Sequence, residues 1–392
     1  MSATAAERVP LRTIAFHWTR IGVTGFGGPP THIALLRRLV VDERQWIDQR
    51  EFEDALAACN LLPGPASTQL AIFLARRVGG PRGAVVGGLG FIVPAVVLII
   101  LLSILFFGSS PPAWVRGAGA GAGAAVAAVA VRAGIDLGRP SLKRAAEPIR
   151  WFAYAVLGAA SAATIGPYLV LVLLGCGLVE LGIARGFGGR ARLHGWAPIL
   201  APGLAPVTAA VASAGGLGAV AWVAFKVGAL SYGGGFVIIP LMQGDAVHTY
   251  HWMTSSQFLD AVALGQITPG PVVATVAAVG YAAHGVAGGA LAALVAFLPS
   301  FAFVLIGGRH FEQIRSSPRA QAFLDGAGPA AIGAILGASI PLAAALRETW
   351  QFVLLGVAAV LLLVARRGIV VTLVGAGVVG AVLGLAGAPV PR

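Results

Sequence analysis

Long runs of apolar residues set the plan of this chain: Ala84 to Phe107, Tyr168 to Ile183 with Glu180 as its one interruption, Gly288 to Ile306, and Gln351 to Ala365. Each approaches the roughly 20 residues that a helix needs to cross hydrocarbon. Nowhere does the pattern alternate at period two, which argues against a membrane β-barrel. Between these runs, Thr13 to Phe26 places Thr13, His17, Arg20 and Thr24 along one helical stripe. Gly25-Phe26-Gly27-Gly28-Pro29-Pro30 then interrupts the helix before Thr31 to Val41 resumes it. The same plan returns in Leu217 to Ser231, the break Tyr232-Gly233-Gly234-Gly235, and Phe236 to Gln243. Gly117 to Ala130 consists of Gly, Ala and Val alone, a face on which helices approach closely, either within one chain or as the seam of a homodimer.

Two further interruptions matter most. Asn60-Leu61-Leu62-Pro63-Gly64-Pro65 and Gln266-Ile267-Thr268-Pro269-Gly270-Pro271 lie in apolar surroundings, yet proline lacks an N–H and its ring clashes with the preceding turn. A helix cannot continue through either. Irregular backbone inside a bilayer is tolerated only where protein or an internal cavity supplies hydrogen-bond partners. Breaks at corresponding positions of two halves are a pointer to the binding site of a transporter.

The halves do correspond. A shift of 206 positions, the separation of Pro63 from Pro269, brings Gly22 onto Gly228, Gly27-Gly28 onto Gly233-Gly234, Trp46 onto Trp252, Asp54 onto Asp260 and Phe91 onto Phe297 without a gap. Two repeats are expected, residues 1–184 and 207–392, joined by a Gly- and Pro-rich linker at 185–206. Arginines give their orientation, because basic short loops stay cytoplasmic. Arg37 to Arg50 and Arg76 to Arg82 carry several, whereas their images, Gln243 to Ser256 and Ala282 to Gly289, carry none. The repeats are therefore expected to be inverted, and Glu51 to Val78 and Gln257 to His284 to be re-entrant hairpins inserted from opposite sides. The predicted fold is an all-α polytopic membrane protein with about ten transmembrane helices, discontinuous helices, two hairpins, and both termini outside.

Composition agrees: the 392 residues are 57% hydrophobic and 11% charged, against roughly 25% charged in soluble domains. The net charge of +12 comes almost wholly from arginine, and basic residues are not interleaved with aromatics as a nucleic-acid surface requires. The lipid bilayer is the expected partner, that of the bacterial inner membrane, and nucleic acid is not. Met1 to Arg12 lacks the pattern of a secretory signal. Cys59 and Cys176 sit in apolar surroundings without metal-ligand spacing and read as packing residues. His32, His248, His251 and His284 likewise share no metal-binding face. With no nucleotide loop or catalytic triad, no cofactor is expected and the chain does not read as an enzyme.

Four helix starts, after Pro29-Pro30, after Gly235, after Pro65 and after Pro271, are expected near the bilayer midplane. Each carries about half a positive charge from its unpaired N–H groups and dipole, which suits an anion. Candidate substrate contacts are Gly27, Gly28, Asn60, Pro63, Gly64, Pro65 and Ser67 in the first repeat, and Gly233, Gly234, Gln266, Pro269, Gly270 and Pro271 in the second. Thr68, Gln69, Ser231, Thr268 and Thr275 are further neutral donors. Arg20 and Lys226, at equivalent positions, either add full charges to the seat or reach for headgroups and carbonyls. Asp54 and Asp260 read equally as helix caps or as coupling groups, and Asp260 as a possible partner of Lys226. Trp46 and Trp252 suit opposite interfaces.

Through Phe26-Gly27-Gly28-Pro29, Asn60-Leu61-Leu62-Pro63-Gly64-Pro65 and their images, the sequence resembles the chromate transporter family, long two-domain type. The second half departs in having Tyr232-Gly233-Gly234-Gly235 and Gln266 in place of Phe-Gly-Gly-Pro and Asn60. The resemblance implies efflux of chromate across the inner membrane, with chromate resistance and with sulfate as the similar oxyanion. Uptake or exchange of sulfate-like anions is the alternative of the same class. An intramembrane lipid-phosphate hydrolase is the alternative of another class, but it wants an acid/base pair beside a phosphate-binding arginine, and only Asp54 or Asp260 offers itself.

Overall fold

Helix α1 (Leu11–Thr24) stops where glycine permits what other residues resist. Gly27 and Gly28 take φ values of 105° and 77°, in the left-handed half of the map. Pro29 and Pro30 then open α2 (Pro29–Arg37), where a missing N–H costs nothing. The computed structural model describes residues 8–61, 64–164, 169–184, 216–231, 236–307 and 317–391, and within them every regular element is helical. Helix α3 (Gln49–Leu61) and the first part of α4 (Ala66–Phe107) form the first hairpin. The rest of the half is α5 (Ala113–Arg144), α6 (Pro148–Thr164) and α7 (Leu169–Ala184). Then come α8 (Leu217–Leu230), α9 (Ile238–Gln243) and α10 (Ser255–Ile267). Next is α11 (Thr275–Gly307), entered through a single 3₁₀ turn at Val272–Ala274. The chain ends in α12 (Pro318–Ala344), α13 (Thr349–Ala359) and α14 (Ile369–Leu385).

Local structure recurs at the spacing of 206. Helices α1 and α8 share bounds under that shift, and so do α3 and α10. Helices α2 and α9 each run into a π-helical turn, Arg38–Glu43 and Gly244–Thr249, which end on Gln45 and His251 at φ 51° and 52°. Such a conformation costs a residue with a Cβ about 1–2 kcal/mol, so its return at the corresponding residue is a shared device rather than an accident. The following Trp46 and Trp252 N–H groups each donate back to the π turn, to Val40 and Ala246 at 2.8 Å.

The hairpins end where the expected spans did. Gly80 (φ 69°), followed by Pro81, divides α4 into a hairpin limb and an outgoing limb. His284 and Gly285 divide α11 in the same manner. Four helical stretches are long and apolar enough to cross a membrane, Ala66–Phe107, Ala113–Arg144, Val272–Ile306 and Pro318–Ala344, with shorter apolar helices beside them.

Large apolar residues line the outer faces of several helices, and small ones form the closest helix contacts inside. Val85, Leu89, Val93, Val97, Leu101 and Leu105 form an exposed stripe along α4, and Val371, Val374, Val378 and Val382 another along α14. Water would not tolerate apolar stripes of this extent, but lipid does. Inside, Gly117 and Gly121 of α5 meet the carbonyls of Gly380 and Ala376 on α14, while Gly333 and Gly337 of α12 meet those of Ala155 and Ala159 on α6. The small-residue face of α5 is thus consumed by packing within the chain and is not the seam of a homodimer. Both contacts join an element of one half to an element of the other.

Candidate functional site

The hairpin tips rest on the broken helices of the opposite halves. Gly64 and Gly270 hold φ values of 117° and 100°, and both tips are buried with the prolines that follow them. A Cβ on Gly64 would lie 3.5 Å from the Gly228 carbonyl of α8, and one on Gly270 would lie 3.7 Å from the Gly22 carbonyl of α1. These two contacts are images of each other. The Gly270 N–H also donates to Gly25 O at 3.2 Å, and Gly28 faces Val272, whose Cγ2 is 3.9 Å from where its Cβ would be.

Three helix starts therefore crowd together: α2, α4, and the turn leading into α11. None is closed by a side-chain cap, so their leading N–H groups keep the partial positive charge that suits an oxyanion. The fourth expected start follows Gly233 and Gly234, which lie outside the described residues, as do Leu62 and Pro63.

Neutral donors near the tips divide by whether they are spent. Thr275 Oγ1 donates to Val272 O at 2.7 Å. Ser67 Oγ lies 3.4 Å from His32 Nδ1, whose ring also reaches Gly25 O with Nε2 at 2.9 Å. Since a carbonyl only accepts, Nε2 bears the proton and Nδ1 accepts from Ser67. His32 thereby ties the first break to the start of α4, a role no spacing announced, because its image in the second half is Ile238. By contrast Thr68 Oγ1, Ser231 Oγ and Gln266 Nε2 are sealed from solvent without a hydrogen-bond partner among the described residues. Buried polar atoms are rarely left so. Their unused capacity adjoins the tips, as an anion seat requires. Asn60, the image of Gln266, is exposed instead.

The full charges are arranged otherwise than expected. Lys226 Nζ is 2.6 Å from Asp245 Oδ2 and lies 5.6 Å from the centre of the Trp222 ring. Asp245 thus takes the place in which Asp260 was expected, because the π turn after α9 carries it back alongside α8. Arg20 is exposed on the outer face of α1 with Phe16 and Val23, away from the tips. Asp54 is engaged by another group. Asp260 lies on the far side of α10, against α5.

A multi-pass helical membrane protein with paired, broken, partially positive helix ends at its centre has the build of a transporter. The chain belongs to the chromate transporter family, whose profile matches residues 12–181 and again 218–381. A chromate transport protein of Cupriavidus metallidurans is 32% identical over 351 residues, 87% of this chain and 85% of the relative. One of Pseudomonas aeruginosa is 32% identical over 334 residues, 83% and 79% of the two chains. An uncharacterized transporter of Bacillus subtilis, YwrB, is 38% identical over 91 residues, which are 23% of this chain and 46% of that protein. No solved structure matches the chain.

Proposed function

We propose that this chain is a secondary carrier of tetrahedral oxyanions that moves chromate out across the bacterial inner membrane and so confers chromate resistance, with sulfate as a competing anion of the same shape and charge. Two inverted copies, 1–184 and 207–392, supply about five crossings each, and the substrate sits between the Pro-Gly-Pro tips and the glycine breaks. The reciprocal contact of the tips, Gly64 on Gly228 and Gly270 on Gly22, is the observation that carries this reading. A two-fold relation between halves brings each tip to the other half's break, and two tips meeting from opposite faces place their free N–H groups together. The doubled family match and the relative of half the length favour two copies of one unit.

Binding falls to neutral groups: the uncapped helix starts, with Thr68, Ser231 and Gln266 completing the shell. A doubly charged ion gains from several partial charges without being trapped by a full one, and a carrier must release what it binds. Lys226 holds the second half's break in place through Asp245 rather than meeting the ion.

Everted vesicles containing the full chain provide the test. Accumulation of radiolabelled chromate that saturates, is competed by sulfate, and falls when the proton gradient or the potential is collapsed is the expected result. Accumulation no greater than in vesicles lacking the protein, with insertion verified, overturns the proposal. Release of phosphate from a lipid phosphate by the purified protein would replace it with the hydrolase reading.

A further inference from the structure

Asp260 is left over by the oxyanion seat, and its surroundings are unusual for a carboxyl inside a bilayer. It projects from the middle of α10 onto α5, where Gly119 and Gly123 leave a recess for it. A Cβ at Gly119 would lie 2.8 Å from the carboxyl carbon, and one at Gly123 would lie 3.3 Å from Oδ1. Oδ1 is sealed from solvent and has no hydrogen-bond partner among the described residues. Beside it lies an open groove of about 260 Å³ bounded by Phe106, Trp114, Leu264, Leu373 and the lipid-facing Val378, and Asp260 is the one acidic residue among the described residues of its wall.

A structural aspartate in this position would be tied to a donor or a cation. Neither is present. Helix α10 has no other titratable residue, α14 has none along its length, and the end of α4 that borders the groove is apolar. On α5 the sole charged group of the same face near Asp260 is Arg116, three residues before Gly119, with its own Nε sealed and without a partner. A bare carboxylate with one oxygen sealed and unpaired in this apolar setting would be poorly solvated, so the neutral acid is the form that fits.

We infer that Asp260 is a proton-binding site that couples proton movement to oxyanion movement, with Arg116 the cation that stabilises the carboxylate once the proton has left. In the conformation seen, the carboxyl keeps its proton in the recess. When α10 moves along α5 by about one turn, the O–H bond breaks, the proton passes to water at the Arg116 end of the groove, and the electron pair stays on a carboxylate now beside the Arg116 guanidinium. The hairpin that carries Asp260 also ends in the Gly270 tip, so protonation and the substrate seat move as one element. This inference rests on the carrier reading and names the ion that drives it.

The full chain reconstituted in liposomes separates the two. Absence of radiolabelled chromate or sulfate counterflow in the wild type defeats the carrier reading itself. Given counterflow, the coupling inference expects Asp260→Asn, which keeps the shape of the acid, to retain it while losing at least tenfold in net uptake driven by a pH gradient at clamped potential, and losing the accompanying proton flux seen with a trapped pH dye. Asp260→Glu should recover part of both. Arg116→Gln should keep counterflow and move the midpoint of net transport about one pH unit to the alkaline side, because the carboxylate has lost its opposite charge. Net transport by Asp260→Asn that still follows the pH gradient overturns the inference and leaves the carrier standing. So does a wild type that ignores the pH gradient, or a well-folded Asp260→Asn that loses counterflow as well.

Discussion

Lys226 is more informative for what it touches than for its charge. Its ammonium and the Asp245 carboxylate stand 2.6 Å apart, with side-chain exposures of 21% and 6%. Removing one member of a buried pair leaves the other unpaired, which costs more than the pair itself contributes. Lys226→Ala should therefore destabilise the protein by about 3 kcal/mol, the low end for a buried pair given the partial exposure of the lysine. Lys226→Ala with Asp245→Ala should recover most of that, read as thermal unfolding in detergent; a double variant as unstable as the single one would mean the lysine acts through another contact. The tip glycines allow a finer comparison. Alanine at Gly64 or Gly270 incurs about 1–2 kcal/mol from the positive φ alone. At Gly64 the new Cβ meets the end of the flexible Gln69 side chain, whereas at Gly270 it comes within 2.6 Å of Ala95 Cβ, which cannot swing aside. Gly270→Ala should accordingly be the more damaging, in melting temperature and in transport, and the reverse order would contradict the tip geometry.

At the scale of elements, the hairpins and broken helices were legible because proline and glycine act locally. A ring without an N–H ends a helix wherever it stands, so Pro63-Gly64-Pro65 and Pro269-Gly270-Pro271 announced turns that the neighbouring fold could not overrule. The repeat then doubled each signal. What lay out of reach was whatever the repeat did not double: His32 corresponds to Ile238 and Asp245 to Leu39, so comparing halves was blind to both. Side-chain direction was equally hidden, since Arg20 and Lys226 match in sequence while one faces outward and the other pairs inward. The hairpin bases also give a prediction about orientation. Gly80 and Gly285 mark where each hairpin turns into its outgoing helix, and inverted copies place these points on opposite faces. Cysteines at Arg82 and Val286, in a background lacking Cys59 and Cys176, should react with an impermeant maleimide from the cytoplasmic and external sides respectively. Labelling of both from one side would remove the inverted arrangement and the seat with it.

For the whole molecule, the packing decides how far the halves are separate bodies. If each repeat folded on its own core, the glycines of α5 would meet α6 or α7. Gly117 and Gly121 meet α14 and Gly119 and Gly123 meet α10 instead, while Gly333 and Gly337 of α12 meet α6, and Gly326 of α12 meets the Cys176 carbonyl on α7. Gln351 of α13 reaches across to donate to Ala120 O at 3.1 Å, and Arg132 of α5 donates to Leu362 O at 2.6 Å. Each half therefore supplies a Gly/Ala surface that only the other covers, and close helix approach through small residues is what holds helices together where lipid removes the hydrophobic drive. Neither half covers its own Gly/Ala surface, and the interactions named here are all made by helices on either side of 185–206. Cutting the chain within 185–206 and co-expressing 1–184 with 207–392 should restore chromate resistance and give a complex that co-purifies, while either piece alone should be degraded. Resistance from one piece expressed alone would require it to complete the seat with a second copy of itself, and the interlocked packing of α5 on α14 and α12 on α6 would then not be what assembles the carrier.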